Sequence, residues 1–332
     1  MGSSQAGPQT WEHSGPSVGS APVTAPPAAA ASLPTSGLAR WVIGARVRTL
    51  PAAIAPVLVG TAAAATKDAA GRGLSIWRFG CALGVALFVQ IATNYANDYS
   101  DGKRGTDDPT KRVGPPRLVG NGMATAAEVK VAMLICFGIT LAFGTPLVLF
   151  VDWKLALVGV AAVAAGWFYT GGPRPYGYAG FGELFVFVFF GLVATIGSAY
   201  VQLERITLVA VGCGVAMGAL ATALLVVNNL RDIPGDTLSD KRTLAVRIGD
   251  MPTRWLYVGL LVVPFALVPF LAGASGRIAA ALAIFAMPLA LIPVRKTLAG
   301  ARGPQLIPVL IGTARVQLVY GVLLAAGLLI SA

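Results

Sequence analysis

From about residue 48 to the C-terminus the chain repeats one pattern: an apolar run, then a short break rich in charged residues, glycine or proline. Nine such runs begin near residues 48, 76, 126, 153, 180, 206, 255, 278 and 308. A bilayer's hydrocarbon layer, about 30 Å thick, requires roughly 17–25 apolar residues of a spanning helix, and the runs supply that length repeatedly. The pattern predicts an all-α polytopic membrane protein of about nine transmembrane helices. The eighth run is short and holds Pro288 and Pro293, so eight or ten spans fit the pattern as well.

Composition strengthens this reading. Of 332 residues, 56% are hydrophobic and 12% charged, and the mean hydropathy of +0.73 exceeds what one soluble core could bury. The net charge of +11 comes from basic residues in short loops between apolar runs, which points to membrane topology and away from a nucleic-acid surface. Cys81, Cys136 and Cys213 lie inside apolar runs without metal-ligand spacing and read as buried small hydrophobes. The one histidine, His13, lies in a Pro/Ala/Ser/Gly-rich stretch, so Ser-His-Asp, Cys-His and His-ligated metal chemistry are excluded. Residues 1–38 read as a disordered N-terminal tail and 39–332 as the membrane domain.

Charge also orients the chain. Assigning alternate loops to alternate sides puts 19 of the 25 Lys and Arg residues on the side of the N-terminus, which the positive-inside rule makes cytoplasmic. The loops after the second and sixth spans collect seven of the 14 acids: Asp98, Asp101, Asp107 and Asp108, then Asp232, Asp236 and Asp240. Positive-inside topology explains the bases there and leaves the acids unexplained. Asn97-xxx-Asp101 recurs as Asn228-xxx-Asp232, each at the end of an apolar run, which suggests two pseudo-repeated four-helix halves with a site between them.

On a helix Asn97 and Asp101 share a face one turn apart, as do Asn94 and Asp98. Carboxylate and Asn oxygens are hard ligands suited to Mg²⁺, which completes its shell with water and phosphate oxygens. Gly102 and Gly105 permit a loop that returns Asp107 to the metal. In the second cluster Pro234 and Gly235 stand between Asp232 and Asp236, so the helix is expected to break there and a loop to present the second acid. Lys103, Arg104, Arg231, Lys241 and Arg242 are cations of the kind that neutralise diphosphate oxygens. Glu183 opens an apolar run, where a lone acid is costly, and reads equally as a functional group or as a helix-start residue. Tyr169, Tyr176 and Tyr178 read as interfacial belt residues.

At these residues the chain resembles the UbiA-type intramembrane prenyltransferases over about residues 40–330. Asn97, Asp101 and Asp107 are similar to the family's first motif, and NNLRDIPGD, from Asn228 to Asp236, to its second. RTLPAAIAPVLVGTA from Arg48, NDYSDGKRGTD from Asn97, YTGGP from Tyr169 and RDIPGDTLSDKRTLAVRIG from Arg231 resemble the 1,4-dihydroxy-2-naphthoate branch. The six-residue step from Asp101 to Asp107 is the main mark of that branch. The resemblance implies a nine-helix bundle around a central cavity open laterally to membrane lipid. It implies two Mg²⁺ ions held by Asp101 and Asp107 and by Asp232 and Asp236, with Asn97, Asp98 and Asn228 as helpers. It further implies transfer of a polyprenyl group from polyprenyl diphosphate to 1,4-dihydroxy-2-naphthoate, with loss of CO₂ and diphosphate, in menaquinone biosynthesis at the bacterial cytoplasmic membrane. Tyr169 and Glu183 would then serve the acceptor or shield the allylic cation, as would Trp167 and Phe168 by their ring faces. Rival readings are a sister transferase with another aromatic or phosphosugar acceptor, and an ion or solute transporter.

Overall fold

The computed structural model describes residues 1–2, 37–65, 74–105 and 114–332. The tail expected over residues 1–38 falls almost wholly outside them, as do Asp107 and Asp108. The described elements of the membrane domain are α1 (Leu38–Ala45), α2 (Pro51–Ala63), α3 (Ile76–Arg104), α4 (Ala126–Phe150) and α5 (Leu155–Phe168), followed by α6 (Gly182–Leu203), α7 (Leu208–Leu238), α8 (Asp250–Ser275), α9 (Ile278–Leu298) and α10 (Gly303–Ile330). Among the described residues seven of these helices are long and apolar enough to cross a membrane, and the pair α1/α2, bent by 51°, makes an eighth candidate. The run expected near residue 153 forms α5, whose 14 residues span about 21 Å at 1.5 Å per residue, less than a full hydrocarbon layer. The chain is a multi-pass membrane protein, and Leu134, Ile135, Leu149, Val160, Phe285 and Ile292 are exposed on its surface, as a helix in an apolar solvent allows without cost.

Local chemistry sets the helix ends. Thr125 and Glu128 form a reciprocal capping box at the start of α4. Glu128 also pairs with Arg40 at 3.1 Å, which ties α1 to α4. The bend after α1 sits at Arg46, in the left-handed region at φ 52°. α3 runs straight through Gly102 and ends at Gly105, whose φ of 71° makes it the left-handed terminator.

α7 is the central post. It is lined with Gly212, Gly214, Ala216, Gly218, Ala219, Ala221 and Ala223, small residues that let neighbouring backbones approach closely. Opposite them α6 carries a seven-residue π-helical stretch, Phe187–Val193, and a Cβ added to Gly191 would fall on the Cα of Gly218. We expect Gly191→Ala to destabilise the protein by about 1–3 kcal/mol through overpacking, measured as a lower thermal midpoint in detergent.

The break expected at Pro234 does not occur. α7 continues through Pro234 and Gly235 to Leu238. A proline in a helix deletes one backbone hydrogen bond, and here, in the last turns of a 31-residue helix whose buried residues end at Arg231, that loss is absorbed. Asn228, Asp232 and Asp236 therefore recur every four residues on one continuous helix face.

Candidate functional site at one end of the bundle

Three segments meet at the C-terminal ends of α3 and α7. Arg104, at the end of α3, donates to the carbonyls of Thr170 and Gly172 in the α5–α6 loop and lies 5.3 Å from the Tyr178 ring. The backbone amide of Arg242, beyond α7, donates to the Tyr178 carbonyl at 3.0 Å. Tyr178, which the sequence placed in an interfacial belt, instead stands between the two motif helices. Its hydroxyl donates to Asp101 Oδ1 at 2.7 Å, and Lys241 Nζ lies 4.6 Å above its ring.

Asp101 is the centre of this junction. The residue is 2% exposed, and its Oδ2 faces Lys241 Nζ at 3.4 Å and the Arg117 guanidinium at 3.7 Å. Burial alone would push the Lys241 ammonium down, but Asp101, together with Tyr178 and Asp236, outweighs it and holds Lys241 above its ordinary value. Lys241 therefore stays charged through neutral pH, flanked by an acid from each motif helix. Asn97, one turn earlier on α3, accepts from the Thr170 hydroxyl at 2.9 Å.

On α7, Arg231 grips Asp232 with two bonds of 2.7 Å and reaches Asn228 Oδ1 at 2.8 Å. Arg231 is buried while Asp232 is half-buried, so the guanidinium holds the carboxylate from the protein side and leaves its outer edge accessible.

Other residues singled out from sequence stand elsewhere. Asp98 is fully buried and turned away, with both oxygens accepting backbone amides, from Leu118 at 2.9 Å and Val119 at 3.1 Å. The Lys103 side chain is exposed, and Arg242 points outward, 4.0 Å from Asp240. Arg104 acts as a clamp on carbonyls. Glu183, in the first turn of α6, is buried against α7, where its Oε1 accepts from Asn229 Nδ2 at 2.9 Å. Tyr169 packs against Gly182, next to Glu183, and burial first, then Glu183, Tyr176, Asp101 and Asp236, push its phenol well above the usual value. Tyr176 donates to the Ala165 carbonyl at 2.7 Å and stacks on Phe185, a packing role. Trp167 stacks on Tyr99, and Phe168 is exposed.

Sequence reading missed Arg117 and Tyr178 as site groups. Tyr178 lies in a loop far from both motifs along the chain, while Arg117 lies in the acid-rich loop itself, ten residues past Asp107, and its place there was the one available signal.

As a metal site the donor set is all oxygen: Asn97 and Asp101 on α3, and Asn228, Asp232 and Asp236 on α7. Among the described residues no three His, Cys, Asp or Glu side chains gather into one cluster. Such sparse carboxylates suit Mg²⁺, which takes one or two protein carboxylates and shares its remaining positions with water and phosphate, and do not suit a closed cage. The residues present fit that ion.

Residues 53–305 match the UbiA prenyltransferase family. The chain is 48% identical over 293 residues to the 1,4-dihydroxy-2-naphthoate octaprenyltransferase of Mycobacterium tuberculosis, covering 88% of this chain and 98% of that protein. It is 37% identical over 228 residues to the Escherichia coli protein of the same name, covering 67% and 72%. Among solved structures, a UbiA homologue from Aeropyrum pernix in its apo form superposes with a TM-score of 0.62 at 13% identity, covering 86% of this chain and 98% of that one. A UbiA homologue from Archaeoglobus fulgidus bound to DMAPP and Mg²⁺ gives 0.56 at 16%, covering 86% and 99%. With three quarters of its length matched by the family and a curated relative aligned almost end to end, this chain belongs to the UbiA prenyltransferase family.

Proposed function

We propose that the chain transfers a polyprenyl group from polyprenyl diphosphate to 1,4-dihydroxy-2-naphthoate, releasing CO₂ and diphosphate and forming demethylmenaquinone in its reduced, hydroquinone form. The relatives named for this activity support the assignment over 88% of the chain. The observation that carries the chemistry is the Asp101–Lys241 pair with Tyr178 between the two motif helices: it joins acid and base from opposite halves of the sequence at one end of the bundle.

Asp101 and Asn97 on one side, and Asp232, Asp236 and Asn228 on the other, would hold two Mg²⁺ ions, with Asp107 as a further ligand. Mg²⁺ held there would supply the positive charge that offsets the diphosphate as a leaving group. Lys241 and Arg117 face Asp101 and supply positive charge for the same leaving group. Arg231 keeps Asp232 aimed, and Arg104 fixes the α5–α6 loop as a cover over the site. The ring of the acceptor then attacks the allylic cation at the carboxylate-bearing carbon, and loss of CO₂ restores aromaticity. The site end faces the cytoplasm, as the bias of Lys and Arg requires, in a bacterial inner membrane whose lipid delivers the isoprenoid chain.

The test is turnover by purified protein given dihydroxynaphthoate and a polyprenyl diphosphate, followed as prenylated product and released diphosphate. EDTA is expected to abolish both and added Mg²⁺ to restore them. Full turnover in EDTA would refute the metal-dependent mechanism, and turnover with other acceptors alone would refute the substrate assignment.

A further inference from the structure

Glu183 is 94% removed from solvent and has an oxygen to spare. Its exposure is 6%; Oε1 is satisfied by Asn229, while Oε2 is buried with no hydrogen-bond partner among the described residues. Nor does Glu183 form an ion pair with any described Lys or Arg. A carboxyl oxygen in that condition is costly, and a structural role would not require it to stay unpaired. Its surroundings say what it faces. Tyr169 lies over the preceding residue, since a Cβ added to Gly182 would sit 3.5 Å from the Tyr169 hydroxyl. That tyrosine also senses Asp101 and Asp236, so the Glu183 corner borders the diphosphate end of the site. Asn229 precedes Asp232 by three residues on α7, so its backbone stands about 4.5 Å, nearly one turn, farther into the bundle, and Glu183 is bonded to Asn229 at that level. An aromatic acceptor must lie on that side of the diphosphate to meet the prenyl carbon.

We propose that Glu183 is the proton acceptor for the acceptor ring, an assignment that rests on the prenyl-transfer reading above. As a ring π pair forms the new C–C bond to the prenyl carbon, the diphosphate departs with the C–O pair. The adjacent ring hydroxyl becomes a ketone, and its proton passes to Glu183 Oε2. The intermediate is a β-keto carboxylate. When CO₂ leaves, the electrons of the broken C–C bond return to the ring, the ketone becomes an enolate, and Glu183 gives its proton back to that oxygen. Atoms and charge balance, and the carboxylate is regenerated without any outside base. The Asn229 amide holds Oε1 and leaves Oε2 for the ring, and with no ion pair to a described Lys or Arg Glu183 remains able to accept a proton.

The test compares Glu183→Gln, Glu183→Asp and wild-type protein with dihydroxynaphthoate, and repeats the comparison with an acceptor in which the hydroxyl beside the carboxylate is methylated. Glu183→Gln is expected to lower kcat by about 10²-fold or more with an unchanged KM for polyprenyl diphosphate and an unchanged thermal midpoint. Glu183→Asp should recover part of the rate, and with the methylated acceptor wild type should be as slow as Glu183→Gln. A Glu183→Gln rate within a few-fold of wild type overturns the proposal, as does a loss that Glu183→Asp fails to relieve and that comes with weakened prenyl diphosphate binding or a lowered midpoint. If wild type does not prenylate dihydroxynaphthoate at all, the underlying activity fails instead, and the two failures are thereby distinguished.

Discussion

Asp101→Asn is expected to reduce diphosphate release by about 10³-fold or more, while the protein still folds and inserts. The size follows from what the carboxylate faces. Its Oδ1 accepts from Tyr178 at 2.7 Å, which an amide oxygen can also do, so shape and one hydrogen bond survive. Its Oδ2 lies 3.4 Å from Lys241 and 3.7 Å from Arg117, and there the charge is what matters. In a site closed off from water, one correctly placed charged or hydrogen-bonding group contributes about 10²–10³ to the rate, and losing the metal's anchor adds to it. The buried cations left behind also repel any divalent ion brought near. The measurement is diphosphate release at saturating Mg²⁺, with a thermal midpoint in detergent as the control for folding. A variant within tenfold of wild type would remove Asp101 from the mechanism.

How much of this was visible in the chain depends on whether the signal was local. Apolar run lengths are local, and the helix starts at Ile76, Ala126 and Ile278 coincide with expectation. The four-residue repeat of Asn and Asp is local too, and it survives because both copies lie on continuous helices. The Pro234 expectation failed because a proline's penalty falls on one backbone bond, and the long helix already formed before it propagates through that loss into its last turn. The short α5 also escaped, since hydropathy registers where apolar residues occur and not how many remain helical before Tyr169 turns the chain. Tyr178 and Arg117 were beyond sequence for another reason: a loop residue's partner is chosen by how the helices pack, and nothing beside Tyr178 in the chain distinguishes its hydroxyl from that of Tyr176. The partners themselves are informative. Tyr178 reaches a motif acid, Tyr176 a backbone carbonyl.

Asp98 marks the same limit, and its substitution is the second large effect. From sequence it is a motif acid beside Asn97 and a helper to the metal. In the structure it is 0% exposed and both its oxygens are occupied by the amides of Leu118 and Val119, so it anchors the loop before α4. Within that loop Asn121 Oδ1 accepts from the Arg117 amide at 2.7 Å and the Leu118 carbonyl accepts from Met123 and Ala124, while the Met123 carbonyl accepts from Arg40 of α1 at 2.9 Å. Asp98 ties the loop backbone to α3, and it sets the position from which Arg117 faces Asp101. Asp98→Ala strands two amides, each costing about 1–3 kcal/mol when left unpaired in the interior, so a destabilisation of about 3 kcal/mol is expected. Asp98→Asn keeps one acceptor but turns an N–H towards an N–H and should recover only part of that. If Asp98 anchors the loop, the thermal midpoint falls sharply in both variants, and the Mg²⁺ concentration giving half-maximal rate rises only as far as Arg117 is displaced. If it is instead a ligand, the Mg²⁺ requirement rises steeply while the midpoint of the metal-free protein stays near wild type. The geometry favours the first outcome, because turning either Asp98 oxygen towards an ion strands a backbone amide of the loop, whereas the partners of Asp101 and Asp232 are side chains that can shift when an ion binds.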